Sequence, residues 1–109
     1  MATAYKVLGQ VAPSATTATT VYTVPSATQT VVSSITVCER AGSAAQFRLS
    51  VRPDGAALSN EHYIVYDASI GANDTLILTV GLTLDASDVL EVYASTGDLS
   101  FNAYGSEIS

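Results

Sequence analysis

Apolar and polar residues alternate with a period of two along almost the whole chain, and no stretch of helical length carries an apolar stripe at 3.6-residue spacing. Segment 46–52, Gln-Phe-Arg-Leu-Ser-Val-Arg, shows this most cleanly. Phe47, Leu49 and Val51 share one face while Gln46, Arg48, Ser50 and Arg52 share the other, the pattern of a half-buried antiparallel strand. Segment 30–38 is rich in β-branched residues and is expected to place Val31, Ile35 and Val37 on one face. Further strands are predicted at 5–11, 19–24, 62–67, 75–81, 89–95 and 98–104. About eight strands at this spacing predict an all-β chain folded as a single antiparallel β-sandwich, of jelly-roll or immunoglobulin-like order. Tyr63 and Tyr66 are expected to point to opposite sides of the strand 62–67 and so form no single platform.

Turn residues fall between these segments. Arg52-Pro53-Asp54-Gly55, Gly71-Ala72-Asn73-Asp74 and Thr96-Gly97-Asp98 combine preset φ, tolerance of positive φ and side chains that bond their own backbone. Pro13 and Pro25 cannot donate to a ladder and are expected at strand starts, edges or connections. The small, polar stretch 12–19 has the composition of a loop or an extended arm, so residues 1–18 are expected to include an N-terminal arm. The chain of 109 residues is expected to be one domain, 1–109, with room for one sandwich-sized core.

Composition narrows the class. An apolar fraction of 48% excludes a disordered chain. No window has the ~18 uninterrupted apolar residues of a membrane helix, and no secretory signal is recognisable, which points to synthesis in the cytosol without export and without a membrane partner. The single cysteine, Cys38, forms neither an intrachain disulfide nor a thiolate zinc site. A net charge of −6 without a Lys/Arg cluster argues against nucleic acid as a partner. The charges are also segregated. Residues 1–53 carry all four cations (Lys6, Arg40, Arg48, Arg52) and one acid, a net +3, whereas residues 54–109 carry nine acids and no cation. The halves are complementary, within one molecule or between neighbours.

Serine and threonine, thirteen each, stand where charges usually guard a sheet. Unguarded, hydroxyl-faced strands invite pairing with other chains, so self-association or docking on a larger body is expected. The residues assigned to that interface are Lys6, Arg40, Arg48, Arg52, Tyr63 and Tyr66.

Chemistry-bearing clusters are sparse. The one histidine, His62, lacks the nucleophile elbow and orienting carboxylate of a triad, and Cys38 lies within an apolar strand. Asp85, Asp88 and Glu91 lack the spacing of a calcium loop; Asp85 and Asp88 are expected to cap backbone amides at a corner. The six tyrosines suit a core, a subunit interface or carbohydrate stacking. No cofactor, metal site or catalytic residue is expected, and the chain is read as a non-enzyme.

Two stretches carry a resemblance. Tyr5-Lys6-Val7-Leu8-Gly9-Gln10, the Ser/Ala/Thr stretch after it and Val21-Tyr22-Thr23-Val24-Pro25 are similar to the opening of small virion structural proteins of tailed bacteriophages. The run from Leu84 to Ala94 and on from Leu99 to Ile108 resembles their closing hairpin, with a departure at the corner, where such proteins often carry glycine in place of Ala86 or Ser87. A fainter similarity runs to the trimeric jelly rolls of the tumour-necrosis-factor and C1q type. The resemblance implies a non-enzymatic virion component, a homo-oligomer with a trimer favoured, that decorates or cements the capsid or forms part of the neck, tail or baseplate alongside other virion proteins. A receptor- or carbohydrate-binding module at a tail tip or fibre is the alternative.

Overall fold

A computed structural model describes residues 2–109. Among them are nine strands: β1 (Thr3–Val11), β2 (Thr19–Thr23), β3 (Gln29–Glu39), β4 (Ala45–Arg52), β5 (Tyr63–Ile70), β6 (Thr75–Leu78), β7 (Leu82–Leu84), β8 (Val89–Ala94) and β9 (Leu99–Ile108). They form two antiparallel sheets, a first in the order β1-β9-β3-β6 with β7 also on β3, and a second in the order β2-β8-β4-β5. The fold is the all-β sandwich that the period-two pattern predicts.

The pairing is nested. β4 pairs with β5, β3 with β6 and β7, β2 with β8, and β1 with β9, so the chain is one long antiparallel ribbon, doubled back at β4–β5 and rolled into two sheets. This is a jelly-roll order and not the immunoglobulin one, in which the first, second and fifth strands share a sheet. The molecule measures 45 × 27 × 19 Å, the short dimension being that of two stacked sheets ~10 Å apart with their outer side chains.

The inner faces close over one core. Phe47, Leu49, Leu90 and Val92 of the second sheet meet Ile35, Val37, Leu99 and Phe101 of the first, all essentially buried. The rings of Phe47 and Phe101 cross edge to face with centroids 6.1 Å apart.

Departures from the sequence expectation have local causes. The strand expected over 75–81 breaks at Thr79–Gly81, where Gly81 takes φ 57°, and its halves β6 and β7 bond different parts of β3; hence nine strands. A bulge at Ser33 reverses the alternation of β3, so that Thr30 and Val32 join Ile35 and Val37 inside while Val31 faces outward. Residues 3–11 pair along their length with β9, leaving only the loop 12–18 with the character of the expected arm.

Candidate assembly interface

The outer face of the first sheet is built by what alternation leaves outward. It carries Tyr5, Val7 and Gln10 from β1, Ser100, Asn102, Tyr104 and Ser106 from β9, Val31, Ser33, Thr36 and Cys38 from β3, Thr75 and Ile77 from β6, and Thr83 from β7. None of these outward strand residues is charged. The three charged residues on this sheet, Lys6, Glu39 and Glu107, lie off this outer face, Glu39 and Glu107 largely buried and Lys6 half-exposed where it reaches Glu107. The face nevertheless bears large apolar groups in water: Tyr5 is 86% exposed, Ile77 69% and Val7 48%. Side-chain amides knit its middle, Gln10 donating to Asn102 Oδ1 at 2.8 Å.

The sheet edges differ in how they are guarded. β6 and β7 are short, β2 is bulged at Val21, and β5 is bulged twice against β4, with Asp67 at φ 52°. β1 is itself bulged between Val7 and Gly9, and in the half beyond the bulge Gly9 packs directly on the Val21 carbonyl of β2, where any side chain would overlap it. The other half, Thr3–Val7, runs regular and exposed along the rim.

The second sheet's outer face is different in kind. The two bulges of β5 set Tyr63 opposite Ser50 and Val65 opposite Leu49, which brings Tyr63 and Tyr66 to the same side, rings edge to face at 4.8 Å. The expectation that they point apart is thereby corrected. Arg48 lies between the Tyr66 and Tyr93 rings, its guanidinium carbon 4.3 and 4.2 Å from their centroids. Its Nε and Nη2 donate to the two oxygens of Asp67 at 2.6 and 3.3 Å, and this forked bond raises the Arg48 pKa above its ordinary value. Beside the stack runs a groove of about 250 Å³ lined by Tyr63, Tyr93, Ser50, Glu91, Thr16 and Leu58 among others.

All four cations are engaged within the chain. Lys6 Nζ donates to Glu107 Oε1 at 2.9 Å, Arg48 holds Asp67, Arg52 lies 3.4 Å from Glu91 and donates to the Gly55 and Ala56 carbonyls, and Arg40 donates to the Gly97 carbonyl. Nested pairing explains this: cationic β1 and β4 are hydrogen-bonded to acid-bearing β9, β5 and β8. The complementarity of the two halves is thus used inside one molecule, and of the six interface residues inferred from sequence only Tyr66 is a largely exposed apolar group. Sequence reading missed the uncharged face, because its residues come from five strands whose adjacency no local pattern reveals.

At one end of the sandwich the Tyr22 hydroxyl donates to Glu107 Oε2 and accepts from Thr30 Oγ1 at 2.8 Å. Burial and the Glu107 carboxylate push the Tyr22 pKa up to about 12, while the Tyr22 and Lys6 hydrogen bonds hold Glu107 below the usual carboxylate range. Elsewhere His62 Nδ1 accepts the Ser59 amide at 3.1 Å. Asp88 caps the Asp85 and Asp54 amides and Asp85 caps that of Ala86, which holds a corner where Ser87 stands at φ 71° in place of glycine. No protein-family model matches the chain, and no curated protein matches it.

Proposed function

We propose that this protein is a non-enzymatic structural component of a tailed-phage virion that works by tiling against further copies of itself and against neighbouring virion proteins, on the capsid or in the neck or tail. The uncharged outer face of the first sheet carries this reading. A body of net charge −6 repels its own copies, and contact is least opposed where no carboxylate has to be desolvated. A sheet face of hydroxyls, amides, tyrosines and exposed Ile77 satisfies that condition and gains by leaving water. The likeness of the opening and closing segments to virion proteins supports the setting. The trimer expected from the sequence rests on that likeness alone; the face admits two copies or three.

The test places charge on the face. Thr36→Asp with Asn102→Asp, at the middle of neighbouring strands, is expected to shift sedimentation of the purified chain toward the monomer while circular dichroism is unchanged. A wild-type chain that stays monomeric at all concentrations overturns self-tiling, and a variant that assembles as well as wild type overturns the middle of the face as its contact. Absence of the chain from density-banded phage particles overturns the virion setting.

The groove beside Tyr63 and Tyr93 favours a second reading, a carbohydrate-binding module. Aromatic rings, the Ser50 hydroxyl and the Glu91 carboxylate are the groups that recognise sugar rings. Saturable binding on a glycan array, lost in Tyr63→Ala, would favour it; an empty array retires it.

A further inference from the structure

We infer that two copies join through the Thr3–Val7 edge of β1, antiparallel across a two-fold axis at Tyr5. The inference rests on the self-tiling reading and names its contact.

The phase of the β1–β9 ladder decides what the edge offers. Ala2 and Ser109 exchange both backbone bonds, at 2.7 and 2.9 Å, so Ala2, Ala4 and Lys6 direct their amides and carbonyls at β9. Thr3, Tyr5 and Val7 therefore direct theirs away from the sheet, three donors and three acceptors in alternation. Such an edge is its own complement. With Tyr5 opposite Tyr5 of the second copy, Thr3 faces Val7 and Val7 faces Thr3, and all six amides of the two edges find carbonyls. A one-residue slip would set outward amides against inward-bonded residues and satisfy none.

Side chains agree with this register. Tyr5 and Val7 are among the most exposed apolar groups of the molecule, and pairing sets the two Tyr5 rings side by side on the outer face. Lys6, the only charge on the edge, is held by Glu107, so no uncompensated like charges meet. The other edges among the described strands are short or bulged, devices by which sheets avoid such pairing, whereas β1 keeps a regular exposed run over Thr3–Val7 before its own bulge. Pairing also makes the two uncharged faces continuous. The contact is smaller than the ~1,200 Å² of a standard interface, so dissociation on the order of micromolar is expected.

Tyr5→Pro tests it, because the Tyr5 amide bonds nothing in β9 and proline is tolerated where an N–H faces outward. Sedimentation velocity across roughly micromolar to millimolar concentrations is expected to show a wild-type dimer and at least tenfold weaker association of Tyr5→Pro, with thermal unfolding little changed. Tyr5→Asp, which sets two carboxylates face to face, is expected to weaken it similarly. Independently of any variant, amide exchange of the wild-type chain should slow at Thr3, Tyr5 and Val7 as concentration rises, with Ala4 and Lys6 protected throughout. An oligomer unaffected by Tyr5→Pro and Tyr5→Asp, a strict trimer, or concentration-independent exchange at those three amides overturns the strand pairing and leaves self-tiling standing. A wild-type monomer at every concentration overturns both.

Discussion

Tyr22 ties four strands at one end of the sandwich, because its hydroxyl binds Glu107 of β9 and Thr30 of β3 while Lys6 of β1 holds the other Glu107 oxygen. Tyr22→Phe leaves the carboxylate and the buried Thr30 hydroxyl without their shared partner, and is expected to cost about 1–3 kcal/mol in denaturant unfolding. The network also sets two pH limits. Glu107 is held below its ordinary value in the folded chain, so its contribution is present above that value and is lost as pH falls. Tyr22 is raised from 10.0 to about 12, so its contribution is complete below pH 10 and is lost as pH climbs from there toward 12. Thermal melts should therefore show an alkaline decline in wild type that Tyr22→Phe lacks. At this scale the inward members of 46–52 were legible in the sequence, since an unbulged strand obeys strict alternation. Val31 and the Tyr63–Tyr66 pair were not: each lies beside a bulge, and one extra residue inverts every side chain beyond it.

At the scale of elements, bulges and close approaches give the ribbon its curvature. Gly105 of β9 lies between β1 and β3 at the point where β3 bulges, and a Cβ there would overlap the Val31 carbonyl. Gly105→Ala is expected to destabilise by about 1–3 kcal/mol or more, since only backbone movement relieves the overlap. Gly97→Ala, where a Cβ meets nothing, should change stability by less than about 0.5 kcal/mol in the same unfolding experiment. Strand existence was readable because burial on one face enforces the period; 30–38 became Gln29–Glu39 and 46–52 became Ala45–Arg52. The break within 75–81 was not, because Thr79-Val80-Gly81 keeps an apolar residue between its turn signals. Strand order was beyond reach for a different reason: nested pairing joins β1 to β9 across nearly the whole chain, and the alternation within each strand is the same whichever neighbour it has.

For the whole molecule, the nested ribbon decides how charge can act between copies. With Lys6, Arg48 and Arg52 already facing Glu107, Asp67 and Glu91, a second copy meets a body whose cations are spent and whose acids are in excess. Long-range forces between copies are then repulsive, and on the proposed self-tiling the attraction comes from strand pairing and from apolar and hydroxyl surface, neither of which salt weakens. Raising ionic strength from ~20 mM to ~500 mM shortens the screening length from about 20 Å to about 4 Å, so the repulsion fades while the contact remains. Self-association measured by sedimentation should tighten several-fold over that range. Had the cationic first half of one copy gripped the anionic second half of another, the same titration would loosen the assembly. A dissociation constant that rises with salt would therefore relocate the contact from the uncharged sheet to the charged one around Arg48 and Arg52. The double exchange Arg48→Glu with Arg52→Glu separates the two cases further: on the nested arrangement it lowers the melting temperature, by turning Asp67 and Glu91 against new carboxylates, while Tyr5 and the face around Thr36 go on joining whatever remains folded.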